Sequence, residues 1–169
     1  LRARKLSQAL KSLGMGEQDV IATLAWNTHR HIEAWYGSAG IGGVYHTLNP
    51  RLFAEQLVYI INHAEDKLIF TDLTFVPVLE GIAEQIPNVK GIVILTDAAH
   101  MPETSLKNVH CYEDLIDGQN GDFNWVEVDE RAPCGICYTS GTTGNPKGVC
   151  YTHRSNVLHT LVGNASDVM

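Results

Sequence analysis

Short blocks of consecutive apolar residues alternate along the chain with longer stretches in which apolar residues recur every three or four positions. The first kind reads as buried strand, the second as a helix with one covered face. Residues 3–13 place Leu6, Ala9, Leu10 and Leu13 at helical spacing, with Gly14 as the predicted stop. Residues 20–26, after Asp19, form the first strand. Asn27 and Thr28 offer a cap for a helix over 32–39, and Gly37, Gly40, Gly42 and Gly43 crowd its end, where they allow close packing on a sheet. Residues 43–47 give a second strand. Asn49-Pro50 signals a cap and first turn for a helix whose Phe53, Leu57, Ile60, Ile61 and Ala64 share a face. A third strand is predicted over 67–71, then a helix to about residue 85, with Thr74 as cap and Pro77 in the first turn, where no intrahelical N–H is lost.

Residues 91–96 give a fourth strand around Ile92-Val-Ile-Leu95. From 97 to 131 the pattern breaks down into an irregular connection, in which only 111–116, read as one short helix, and 125–128 look ordered. Residues 134–139 form the last predicted strand. Val157, Leu158, Leu161, Val162 and Ala165 give a closing helix its apolar stripe. Strands that are apolar throughout, separated by helices, predict an α/β fold with a mostly parallel sheet flanked by helices.

Composition narrows the function classes. The 169 residues suit one α/β unit, and 44% hydrophobic with 18% charged residues reads as globular. A net charge of −7 with no basic stripe argues against nucleic acid. No apolar run reaches the ~20 residues that span a bilayer. The opening Leu1-Arg-Ala-Arg-Lys5 reads as an amphipathic helix rather than a secretion signal. Four scattered cysteines fit free thiols in a reducing cytoplasm. The chain opens and closes inside helical patterns, so it reads as a piece of a longer protein.

The most distinctive stretch is Tyr138-Thr-Ser-Gly-Thr-Thr-Gly-Asn-Pro-Lys-Gly148, read as a strand, a glycine-rich turn and a helix-like run from Ser155. Glycines admit positive φ and close approach of the backbone. Successive N–H groups then form an anion-binding nest that hydroxyls and a cation complete. It is not a Walker A loop, because Lys147 lies between Pro146 and Gly148 instead of opening a helix. A charged loop clamping the outer phosphates of a nucleotide fits better.

The block resembles the phosphate-binding loop of the adenylate-forming (AMP-binding) enzymes: acyl-CoA synthetases, luciferases of the firefly type and peptide-synthetase adenylation domains. Val149-Cys-Tyr-Thr-His153-Arg154 onward is most similar to the fatty-acyl-CoA ligase branch, and Gly42-Gly-Val-Tyr-His-Thr-Leu-Asn-Pro-Arg51 resembles a second, softer motif. The resemblance implies that residues 1–169 are the front part of a large N-terminal domain, with the C-terminal domain absent. It implies ATP, Mg²⁺ and coenzyme A, the last as a substrate, and a small carboxylic acid as partner. Family members often pair, which leaves a homodimer open. On the loop, Ser140, Gly141, Thr142, Thr143, Gly144 and Lys147 would hold the β- and γ-phosphates. Thr139 would offer a hydroxyl to Mg²⁺, directly or through water. His153 would support the nucleotide loop or the acyl entry. The family's adenine, ribose and adenylation-lysine motifs are not in this stretch, so the 169 residues alone are expected to be inactive.

Other chemistry competes for the same residues. Cys134, Cys137, Cys150 and His153 match a Cys₃His zinc spacing. Against it, cysteines three apart on a strand point to opposite faces, and Ile136 and Tyr138 favour strand over the tight turn a zinc knuckle needs. A kinase or NTPase loop is disfavoured by the Pro-Lys-Gly ending, and aryl-acid or peptide-synthetase chemistry is not separable from fatty-acid activation here. His29 and His31 are spaced onto different helix faces. Trp26, Trp35 and Trp125 read as core or lid packing.

Overall fold

The structure, a computed structural model, describes residues 1–139 and 145–165. The fold starts with helix α1 (Arg2–Ser12), strand β1 (Val20–Leu24), helix α2 (His29–Gly40) and strand β2 (Val44–Thr47). Helix α3 (Ala54–Ala64), strand β3 (Leu68–Thr71), helix α4 (Val76–Ile82) and strand β4 (Gly91–Ile94) follow. The last part holds strand β5 (Val109–Cys111), helix α5 (Tyr112–Asp117), strands β6 (Pro133–Thr139) and β7 (Lys147–Thr152), and helix α6 (His153–Gly163).

The strands form one sheet in the order β5-β4-β3-β1-β2-β6-β7. Every pair is parallel except the antiparallel β6–β7. The chain steps from β1 outward to β2 through α2, then back across β1 to β3 through α3. Right-handed crossovers taken in opposite directions put those helices on opposite faces. The two cores follow. Leu57, Ile60 and Ile61 of α3 and Leu79 and Ile82 of α4 pack with Ala22, Ile69 and Ile92 on one face. Leu6 and Leu10 of α1 and Ala34 of α2 pack with Ile21, Phe70, Val93 and Tyr112 on the other. The central strands are largely apolar because both faces are covered, with Thr23, His46 and Thr71 as buried polar members.

The helix starts and stops follow local chemistry. Thr28 caps α2, its hydroxyl accepting the His31 N–H. Gly14, at φ +79°, turns the chain after α1, and Glu65 in the left-handed region ends α3. Gly37 lets α1 and α2 approach so closely that a Cβ there would sit 2.7 Å from the Leu6 side chain.

Several expectations change. Asn49-Pro50 does not open α3. Asn49 heads a turn instead, its Oδ1 accepting the Arg51 N–H at 3.0 Å, and Phe53, expected on the buried face, precedes the helix and is 79% exposed. Asp72, not Thr74, precedes the short 3₁₀ turn that leads into α4. Strand β5 was hidden in the irregular connection. It is three residues long with His110 at its middle, too short for an apolar pattern. The three tryptophans are about half exposed: Trp35 stacks on Tyr45 and Trp125 on Tyr36, while Trp26 is tilted against Phe75. The predicted stripe of α6 also lies open, with Val157, Leu158, Leu161 and Val162 all exposed.

Candidate functional site

In this sheet β2 and β6 are neighbours, yet the chain leaves them in opposite directions, β2 toward β3 and β6 toward β7. Such a reversal opens a crevice beyond the carboxyl ends of the strands, the usual ligand position in open α/β sheets. The glycine-rich stretch leaves β6 at this point. Its residues Ser140, Gly141, Thr142, Thr143 and Gly144 lie outside the described residues.

The two flanks are described, and they correct the expected strand-loop-helix order. After the stretch comes β7, paired back on β6 in the register Ile136 with Cys150, Tyr138 with Gly148 and Thr139 with Lys147. Lys147 therefore opens a strand. The β-branched and aromatic residues of Val149-Cys-Tyr-Thr152 suit a strand, and their apolar pattern is weak because β7 is an exposed edge. Thr139 and Lys147, both exposed, form the last pair at the base of the stretch. A hydroxyl-bearing and an ammonium-bearing residue thus sit opposite each other on adjacent strands.

Beneath this base, Tyr138 is held from three sides. Its hydroxyl lies 2.6 Å from His63 Nδ1, on α3. Its ring packs on the His46 ring, with centroids 5.3 Å apart. Across the pair, Gly148 carries no side chain, and a Cβ there would meet the Tyr138 ring at 3.1 Å. His46 is itself fixed, its Nδ1 lying 2.8 and 3.0 Å from the two oxygens of Asp66, with both residues fully buried. Burial raises the Asp66 carboxyl above its usual range, opposed by His46. His46 Nε2 is buried with no partner among the described residues.

On the opposite face of β2 and β6 a cavity of about 420 Å³ opens among His31, Trp35, Tyr45, Thr47, Cys137 and Tyr151. Its floor is a directed hydrogen-bond chain. His31 Nδ1 lies 3.1 Å from the Trp26 carbonyl and must donate to it. Burial lowers the His31 pKa, so the neutral ring leaves Nε2 to accept from Thr23 Oγ1 at 3.0 Å. The Tyr45 hydroxyl, 3.2 Å from Thr23 Oγ1, then donates to it. Burial pushes the Tyr45 phenol up to about 12.

The cysteines need a correction of their own. The register shifts between Pro133 and Gly135, which disturbs the alternation of side chains at Cys134. Cys134 and Cys137 line the same cavity instead of facing apart. Cys134 is buried, with its Sγ accepting from Asn156 Nδ2 at 3.1 Å, and burial raises its thiol. Among the described residues no group of three His, Cys, Asp or Glu is placed to hold a metal. His153 starts α6, where Thr152 and Ser155 form a reciprocal capping box. Its N–H donates to the Ala132 carbonyl at 3.2 Å, and its Nε2 is buried with no partner among the described residues.

Sequence reasoning named Thr139 and Lys147 but missed His46, His63 and Asp66. The one available signal was the cluster of three titratable residues at and just after the end of α3, His63, Glu65 and Asp66. No helix among the described residues is long and apolar enough to cross a membrane.

Comparison with known proteins supplies the context. The family model described as AMP-binding enzyme matches residues 1–168. The chain is 46% identical over 165 residues to a 3-methylmercaptopropionyl-CoA ligase of Ruegeria pomeroyi, an alignment covering 98% of this chain and 31% of that protein. It is also 46% identical over 169 residues to a medium-chain-fatty-acid–CoA ligase of Ectopseudomonas oleovorans, covering 100% of this chain and 31% of the relative. The chain thus spans under a third of these relatives. A solved anthranilate CoA ligase, AuaEII with anthranoyl-AMP, superposes with TM-score 0.88 at 22% identity, over 96% of this chain and 31% of that one.

Proposed function

The chain belongs to the AMP-binding enzyme family, and from that premise we propose that the protein containing it is an ATP-dependent acid–thiol ligase. The reading is carried by one observation: Thr139 and Lys147 pair at the base of the glycine-rich stretch, in a chain nearly half identical to two CoA ligases.

The reaction has two steps. A carboxylate oxygen attacks the α-phosphorus of ATP, and the bond to the bridging oxygen breaks, releasing pyrophosphate and leaving an acyl-adenylate. The sulfur of coenzyme A then attacks the acyl carbon, loses its proton, and AMP departs. The first step brings two anions together, so the site must offset their repulsion with fixed donors and cations. Ser140, Gly141, Thr142, Thr143 and Gly144 would supply backbone N–H and hydroxyl groups to the β- and γ-phosphates, with Lys147 as the cation.

The donor set also fits Mg²⁺. That ion draws most of its oxygens from phosphates and water, so one protein hydroxyl, that of Thr139, suffices beside the phosphates. Bound there, the ion would neutralise charge on the leaving pyrophosphate.

The acid proposed is a medium- or long-chain fatty acid, supported by the medium-chain relative. Residues 1–169 would form the front part of the N-terminal domain and would not turn over alone. The test is to assay the complete protein with ATP and a panel of aliphatic and aromatic acids. Acid-dependent release of pyrophosphate and AMP is expected, largest with fatty acids. Release of ADP, or no acid dependence, overturns the reading.

A further inference from the structure

The proposed chemistry accounts for residues 139–147 but leaves three groups on the other side of β6 unexplained: half-buried Tyr138, exposed His63 and the buried His46–Asp66 pair. We infer that Tyr138, held by His63, is a positioning residue that sets Thr139 and Lys147 for ATP. The inference rests on the functional reading above and adds a role for residues outside the motif.

The argument is geometric. Tyr138 is the residue just before Thr139, and Gly148, its partner on β7, is the residue just after Lys147. One ring therefore touches both strands at the level where they open. Gly148 makes this possible, since any Cβ there would press on the ring at 3.1–3.3 Å. The position of the ring is set from outside the hairpin. His63 Nδ1 holds the hydroxyl at 2.6 Å. His63 rides on α3, anchored in the core through Leu57, Ile60 and Ile61, and its ring stacks on Tyr59 with centroids 5.3 Å apart. His46 supports the ring from below, locked by Asp66. Strand β6 pairs with β2 only as far as Cys137, so beyond that point the open end of the hairpin is tied to the rigid centre of the fold through this phenol. If the tie is released, Thr139 and Lys147 gain freedom relative to the crevice, and ATP must order them on binding.

The test uses the complete protein and compares Tyr138→Phe, His63→Ala, His63→Asn and the double variant Tyr138→Phe/His63→Ala. Tyr138→Phe keeps the ring and loses only the hydroxyl, so it guards against misfolding. One net hydrogen bond corresponds to about a three- to tenfold change. Expected is an ATP KM raised by about that factor in Tyr138→Phe and in His63→Ala, with the KM for the acid unchanged and kcat altered less than about twofold. The double variant should be no worse than either single one. His63→Asn, whose amide replaces Nδ1, should recover most of the loss. An unchanged ATP KM in Tyr138→Phe, additive effects in the double variant, or an equal rise in the KM for the acid overturns the inference. If the unaltered protein releases no pyrophosphate with any acid, the functional reading falls and this inference with it. If it does release pyrophosphate and Tyr138→Phe matches it, only the positioning role falls.

Discussion

Thr139 and Lys147 are paired across β6 and β7 as the last rung of an antiparallel ladder. A flexible connector would let the lysine wander. Here its backbone is set by strand pairing, and only the side chain remains free to follow a phosphate. Lys147→Ala in the complete protein should lower the rate of adenylation by about 10²–10³-fold, the usual cost of losing one preorganised charge-stabilising group. Its exposed position predicts a stability change within about 0.5 kcal/mol. Pyrophosphate release and urea denaturation measured on the same preparation check both halves.

Asp66 and His46 make a second test, now of stability. Asp66→Ala removes the partner of His46 Nδ1 in a fully buried site whose Nε2 already has none among the described residues. The expected loss is about 2–4 kcal/mol, read as a lower urea midpoint with unchanged slope. A loss below about 1 kcal/mol would mean that water reaches the ring.

Glu113 gives a dependence on pH. It receives Arg2 at 3.0 Å and Arg30 at 2.7 Å, and Arg2, ahead of the opposing burial and of Arg30, holds its carboxyl below the usual 4.5. A carboxyl depressed in the folded state stabilises fully above its unfolded value and loses that contribution as pH falls through the folded value. Stability should therefore decline from about pH 4.5 downward. Glu113→Gln should be less stable by about 1–2 kcal/mol at neutral pH, with a shallower acid decline. Thermal melts between pH 7 and pH 3 measure this; parallel curves for the two proteins would sink it.

Two glycines in helices should respond with opposite signs. Gly37→Ala forces a Cβ within 2.7 Å of buried Leu6 and should cost about 1–3 kcal/mol. Gly81, in α4, has nothing within 4 Å of its would-be Cβ, and Gly81→Ala should stabilise by about 0.5–1 kcal/mol. Melting temperatures moving apart in those directions are the outcome sought.

How far these features were legible in the sequence follows from what made each signal. Strands β1 to β4 were readable because burial on both faces makes them largely apolar. Strand β7 was not, since it starts with Lys147-Gly148 and lies at an exposed edge. Strand β5 escaped through its length. The stripe on α6 was readable as a stripe, yet periodicity carries no information about what covers it. At the site, the hydroxyls and Lys147 were named from one contiguous motif. The grip on Tyr138 was invisible, because His46 and Asp66 are 20 residues apart and His63 and Tyr138 are 75 apart, and only the sheet order brings them together. The alternation rule that set Cys134 and Cys137 on opposite faces failed for a local reason, the register shift beside Cys134.

The bare flank formed by β7 and α6 has a practical side for anyone handling these 169 residues by themselves. Four aliphatic side chains on one short cylinder, beside a strand with no outer neighbour among the described residues, make an adhesive margin. Light scattering would rise with protein concentration, and crowded preparations would turn cloudy from this border inward while the interior stayed intact.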